Sequence, residues 1–128
     1  MSYYFTTELS DDFDTAIERV TSKLGEEGFG VLTEIDVRAT MKKKLDVDFR
    51  PYKILGACNP PFAHKALSAE DKIGTMLPCN VVVQEHAPGK VEVSAVDPLA
   101  SMSSVENEAL AAIASEVRDR LRKVIHSL

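Results

Sequence analysis

Paired cysteines, long apolar runs and a basic excess are all missing from this sequence. Its two cysteines, Cys58 and Cys79, stand 21 residues apart, so neither a C-x-x-C redox pair nor a zinc-ribbon spacing is present. The sequence also begins without the basic and apolar segments of a signal peptide, so we expect free thiols in the cytoplasm rather than a disulfide. No stretch approaches the roughly 18 apolar residues of a membrane span, so we expect no membrane partner.

The charge balance is unlike that of a nucleic-acid-binding protein. Lysine and arginine number 15 against 20 aspartates and glutamates, which gives a net charge of −5 and an isoelectric point near 5.2. Phosphate backbones are bound by a clustered excess of basic side chains. We therefore expect no nucleic-acid partner.

The rest of the composition is that of an ordinary globular domain. Hydrophobic residues make up 45% of the sequence and charged residues 27%. A chain of this length hides roughly two-thirds of its surface on folding, which is enough for a real core. We predict one domain over residues 1–128.

Apolar periodicity and turn residues predict the element order β-α-β-α-β-α-β-β-α. The five predicted strands cover residues 2–8, 28–36, 49–58, 79–85 and 90–96. A Pro-Gly turn joins the last two strands as a hairpin, so the sheet is at least partly antiparallel. We predict an α+β fold in which a single five-stranded sheet carries the helices packed on it.

Two helix boundaries are predicted from capping residues. Ser10 is a natural N-cap for the first helix, and Gly25 suits the left-handed position at its end. Ser103, with Glu106 three residues later, has the pattern of a capping box at the start of the last helix. The apolar stripes of both helices are predicted to face the core.

Each cysteine is followed directly by an asparagine. Cys58-Asn59 ends the third predicted strand and Cys79-Asn80 begins the fourth, so the two pairs are expected at one end of the sheet, where ligand sites are common. In a shared pocket the side-chain amides of Asn59 and Asn80 would supply donors and acceptors for a small polar or anionic ligand. The thiols of Cys58 and Cys79 would form an apolar, polarizable surface beneath the ligand. The competing interpretation is structural, because cysteine is often buried and asparagine often caps helices.

Cys58 supports a second hypothesis, a thiol-based enzyme or redox sensor. It precedes a helix that Asn59 caps and Pro60 opens, and a helix N-terminus favours thiolate. Pro60 and Pro61 weaken this site because neither has an amide hydrogen to offer an anion. Whether the protein is an enzyme stays open at this point.

Two charged residues are candidates for the edge of the pocket. Glu34 lies between apolar neighbours on the second strand, and Lys43 belongs to the Lys42–Lys44 run. The simpler interpretation of both is a solvent-facing side chain. The soft ligands, including the cysteines and histidines, lack metal-site spacing, and no nucleotide-binding motif is present, so we predict neither a metal site nor a cofactor.

Several segments together are more specific than any one of them. They are GFGVL at 28–32, TEID at 33–36, the lysines at 42–44, FRPY at 49–52, GACNP at 56–60, LPCNV at 77–81 and Asp97-Pro98. With them, residues 3 to about 125 resemble the bacterial and archaeal domain-of-unknown-function family numbered 302. The resemblance implies a small α+β domain that forms a homodimer in the cytoplasm, and it implies no catalytic residue.

The sequence leads to three hypotheses about function. The first is a small dimeric binding module whose pocket contains Cys58, Asn59, Cys79 and Asn80, with Glu34 and Lys43 at the edge. The second is the thiol-based enzyme or redox sensor. The third is a structural or partner-binding protein, for which an exposed apolar patch would be the sign.

Overall fold

A computed structural model describes residues 2–128 and contains one five-stranded sheet. The strands are β1 (Tyr4–Leu9), β2 (Gly30–Asp36), β3 (Tyr52–Cys58), β4 (Cys79–Ala87) and β5 (Lys90–Val96). Their order across the sheet is β1-β5-β4-β3-β2, and every neighbouring pair is antiparallel. The predicted α+β fold is therefore confirmed, with a sheet that is antiparallel throughout.

The helices connect the strands in the predicted order. They are α1 (Phe13–Glu26), α2 (Val37–Leu45), α3 (Pro60–Ala69), α4 (Pro98–Ser101) and α5 (Glu108–His126). A single 3₁₀ turn, Ile73–Met76, lies between α3 and β4. The short helix α4 was not predicted.

The predicted boundaries of the first helix are wrong by a few residues. The N-cap is Asp12 rather than Ser10, because the Asp12 carboxylate accepts the Thr15 amide hydrogen at 2.8 Å. Gly25 lies inside α1, and the left-handed residue that follows the helix is Gly28, with φ at +86°. Glycine adopts this φ without the steric cost that other residues meet.

The capping box predicted at Ser103 and Glu106 is also wrong. Asp97 caps the short helix α4 first, and Ser103 falls in the turn that ends it. Asn107 then caps α5, and its amide nitrogen donates to the Ala69 carbonyl at 2.9 Å. The start of α5 is therefore fixed by a contact with α3 that sequence spacing does not reveal.

The core lies between one face of the sheet and the helices α1 and α5. Burial alternates along β5 and the first half of β4, where every second residue is buried and the residues between them are exposed or partly buried. The core side chains of the three middle strands are Leu55, Ala57, Val81, Val83, Val91, Val93 and Ala95. The opposite face, here called the open face, carries residues such as Tyr4, Thr6, Asn80 and Gln84, which are exposed or only partly buried.

None of the helices described in residues 2–128 combines the length and the apolarity that crossing a bilayer requires.

Candidate functional site

The antiparallel pairing of β3 with β4 brings the two cysteines to the same end of the sheet. Ala57 lies opposite Cys79, and Cys58 is the next residue along β3. Both cysteines are free thiols, Cys79 buried and Cys58 partly buried. Because β3 ends where β4 begins, α3 starts directly beside this pair of strand ends.

A cavity of about 300 Å³ lies between these strand ends and the helices α3 and α5. Large apolar side chains on its wall include Phe29, Phe62, Leu77, Met102, Leu110 and Val117. Within residues 2–128, its polar wall residues are Asn59 and the thiols of Cys58 and Cys79, and no charged side chain lines it. A concave, mostly apolar space with a few polar groups is the usual form of a small-molecule site.

Asn59 occupies the N-cap position of α3 without capping the helix. An N-cap oxygen accepts an amide hydrogen from the second or third residue of its helix. Pro61, the second residue of α3, has no amide hydrogen, and no side-chain cap bond to Phe62 forms. The Asn59 amide nitrogen instead donates to the Glu27 carbonyl at 3.2 Å, which ties the start of α3 to the turn after α1. Asn59 is only 7% exposed, so this polar side chain is held at the buried wall of the cavity.

The environment of Cys79 disfavours its thiolate. Burial raises the pKa of the Cys79 thiol to about 11, and the neighbouring Cys58 adds to the shift. The thiol is therefore protonated at neutral pH and behaves as a small apolar group with a weak donor. Cys79 contributes to the cavity wall rather than to nucleophilic chemistry.

The structure separates Asn80 from the other three predicted pocket residues. Successive residues of a strand point to opposite faces, so Asn80 is exposed on the open face while Cys79 faces the core. There it lines a shallow groove of about 420 Å³ together with Tyr3, Tyr4 and Tyr52. The expectation that both Cys-Asn pairs share one pocket is therefore wrong for Asn80, and Cys58, Asn59 and Cys79 are the residues brought together.

Glu34 and Lys43 also lie away from the cavity. Glu34 stands four residues beyond Gly30 along β2, which is about 13 Å from the strand end beside the cavity. Its carboxylate pairs with the Lys53 ammonium at 2.7 Å, and this hydrogen bond raises the pKa of Lys53. Lys43 is exposed on α2 and is absent from the cavity wall.

Most of the cavity wall was not predicted as part of a site. Leu110, Ile113 and Val117 belong to the apolar stripe of α5, which the sequence assigns to the core. Their spacing is the same whether they pack against solid protein or face a cavity. In the part of the chain that the structure describes, no three His, Cys, Asp or Glu side chains are grouped so as to hold a metal ion.

Comparison with known proteins places the chain in a family. No curated protein matches it. Its fold is similar to the crystal structure of the uncharacterized conserved protein DUF302 from Bacillus stearothermophilus, with a TM-score of 0.89, 30% sequence identity and 98% of each chain covered. Residues 5–128 match the family described as domain of unknown function DUF302. Since this match spans nearly the whole sequence, the chain belongs to the DUF302 family.

Proposed function

We propose that this protein is a small-molecule binding module and that the cavity beside Cys58, Asn59 and Cys79 is its ligand site. The observation that carries the proposal is a space of about 300 Å³ inside a domain of only 128 residues. It is about twice the size of the roughly 150 Å³ apolar cavity that is known to admit benzene. Protein interiors are close-packed, and an apolar pocket of this size that opens to solvent has room for a small ligand.

The wall favours a ligand whose body is apolar. Leu32 and Leu67 line the cavity and are also 68% and 45% exposed, so the cavity reaches solvent at these side chains. The small polar or anionic ligand expected from the two Cys-Asn pairs has less support, because Asn80 is elsewhere and no cation lines the wall among residues 2–128. Two free thiols are consistent with a module that works in the cytoplasm.

Enlarging one wall residue tests the proposal. Ala114→Met directs a flexible side chain into the cavity and should weaken binding of a neutral bicyclic probe, 2-methoxynaphthalene, by at least about tenfold. Binding is measured by calorimetry and by the rise in melting temperature that a saturating ligand produces. Ala112→Met is the matched control, because Ala112 is exposed on the same helix and should bind the probe like the wild type. A folded Ala114→Met variant with unchanged affinity would place binding elsewhere.

The thiol-based hypothesis receives no added support from the geometry. Within the described residues, the wall contains no histidine, carboxylate or cation that would activate Cys58 as a nucleophile. The exposed apolar residues at the entrance, Leu32 and Leu67, would also suit a protein partner. A small ligand is the better occupant because the space is concave and is lined by strand ends, α3 and α5 together, whereas a protein partner would need a flatter surface.

We also propose that the module is a homodimer and that the edge formed by β2 and α2 is the contact. No residue of α2 is buried over its whole length, Val37–Leu45, and isolated helices this short are not stable in water. Ile35, Leu45 and Val47 are 49%, 66% and 47% exposed on the same part of the chain. A second copy would cover these side chains, and it would also cover the free edge of β2.

The dimer proposal predicts that substituting one exposed leucine dissociates the dimer into monomers. Wild type is expected at twice the chain mass of 14.0 kDa in sedimentation equilibrium, and Leu45→Glu at the monomer mass. Stability of the monomer should change little, because Leu45 is largely exposed. Tyr3→Glu, a charge on the opposite edge of the sheet, is the control and should leave the dimer intact. A monomeric wild type, or a dimeric Leu45→Glu, contradicts this interface.

A further inference from the structure

We infer that the occupant of the cavity is a neutral molecule with an apolar body and one hydroxyl group, bound through the side-chain oxygen of Asn59. This inference rests on the proposed function and names the class of ligand. It selects an alcohol or phenol over a carboxylate or a hydrocarbon.

The first step concerns the two polar ends of the Asn59 amide. Its nitrogen is occupied by the Glu27 carbonyl at 3.2 Å. Gly28 supports this arrangement, because a Cβ at that position would lie 3.1 Å from the same nitrogen. The Asn59 Oδ1 has no hydrogen-bond partner within residues 2–128, although the residue is more than nine-tenths buried on the cavity wall. An amide oxygen in this position is an acceptor without a donor.

The second step concerns which group can complete the bond. The two prolines after Asn59 contribute no amide hydrogen to the cavity. No fully buried side-chain nitrogen or oxygen in residues 2–128 lacks a partner, so this acceptor keeps some access to solvent in the empty cavity. A ligand that fills the cavity displaces water from the acceptor, and leaving it unmatched is then costly unless the ligand brings a hydrogen. A hydroxyl supplies that hydrogen without adding charge.

The third step excludes an anion. No lysine, arginine or histidine among the described residues lines the cavity. Lys65 and Arg120 lie over the ring of Phe62, at 5.9 and 5.2 Å from its centroid, and neither reaches the wall. A carboxylate would lose its hydration beside apolar side chains and an amide oxygen, with no cation to replace the water. The high pKa of Cys79 shows the same preference of this wall for neutral groups.

Three matched probes test the inference on the wild-type protein. They share a bicyclic ring and differ in one group: 2-naphthol carries a donor, 2-methoxynaphthalene carries none, and 2-naphthoate carries a negative charge. We expect 2-naphthol to bind about fivefold more tightly than 2-methoxynaphthalene, the effect of one neutral hydrogen bond. We expect 2-naphthoate to bind at least about tenfold more weakly than either. Calorimetry at neutral pH gives the three dissociation constants.

An Asn59→Ala variant locates the bond. Within this variant the affinity for 2-methoxynaphthalene is the reference, and relative to it the fivefold preference for 2-naphthol should be lost, whereas Asn80→Ala, on the open face, should keep the preference. Equal binding of the naphthol and the methoxy probe to wild type, or tightest binding of the naphthoate, overturns the inference while the proposed function stands. If none of the three probes binds, both fail. If Asn59→Ala does not fold, the wild-type series alone decides.

Discussion

Replacing Gly56 by alanine is expected to lower the free energy of unfolding by about 3 kcal/mol, at the upper end of overpacking costs. Gly56 lies in the middle of β3, between Thr33 of β2 and Asn80 of β4. A Cβ at this position would overlap the Thr33 hydroxyl oxygen and would lie 2.7 Å from Cγ of Pro78. The exposed Thr33 hydroxyl can turn away by rotation about χ1, but the ring of Pro78 cannot, so most of the cost comes from the contact with Pro78. The glycine is required for close approach of Thr33 and Pro78.

Urea unfolding measures this effect, and two variants serve as controls. Gly30→Ala makes the same change in β2, where no described heavy atom lies within 4 Å of the new carbon, and it should change stability by less than about 1 kcal/mol. Thr33→Ala combined with Gly56→Ala should recover part of the loss, because the contact with Pro78 remains. Equal stabilities for the two single glycine variants would show that the crowding around Gly56 is relieved at no cost.

Much of the fold can be predicted from short sequence patterns, namely turn residues and the spacing of apolar residues along each strand. The Pro-Gly turn after β4 forces an antiparallel hairpin, and alternating apolar residues in β4 and β5 give both strands one buried face. These steps need only the order of the elements and the period of each one. The antiparallel pairing of β3 with β4 places the end of one strand beside the start of the other, so Cys58 and Cys79 are close. The sequence leaves open whether these two strands are neighbours.

The errors at the candidate site have equally specific causes. Period-two alternation places Asn80 on the opposite face from Cys79, so the sequence itself contained the evidence against a pocket that includes both. Asn59 occupies the expected cap position, but Pro61 lacks one of the two amide hydrogens that an N-cap side chain accepts, and no bond to the other forms. Its side chain turns to Glu27, a partner 32 residues away that no local rule identifies.

The cavity could not have been predicted from the sequence. Its wall combines strand ends, α3, the 3₁₀ turn and α5, and its volume depends on how far apart these elements are held. Asn107 contributes to that spacing by joining the start of α5 to the end of α3 through the Ala69 carbonyl. An apolar stripe reports that a helix face is covered, but it carries no information about whether the covering is complete.

A second large effect is expected when Asp97 is replaced by alanine, again about 3 kcal/mol of lost stability. Asp97 is 8% exposed and makes two separate side-chain interactions. One carboxylate oxygen accepts the Leu99 amide hydrogen at 3.0 Å and caps α4, while the other accepts from Nε of Arg118 at 3.2 Å. Alanine removes the cap, which is worth about 1 kcal/mol, and leaves a partly buried guanidinium without its carboxylate.

The two contributions of Asp97 can be measured separately. Asp97→Asn keeps an oxygen for the cap and should lose less stability than Asp97→Ala, and Arg118→Met completes a double-mutant cycle for the ion pair. We expect a coupling energy of about 1 to 2 kcal/mol, because the aspartate side chain is 11% exposed and the arginine 32%, so water screens the pair only in part.

Asp12→Ala is the matched control, since Asp12 caps α1 from an exposed position without an ion pair among the described residues. It should cost about 1 kcal/mol. A coupling energy near zero would mean that Asp97 acts on stability through the cap alone, and that β5 and α5 are joined there by packing rather than by charge.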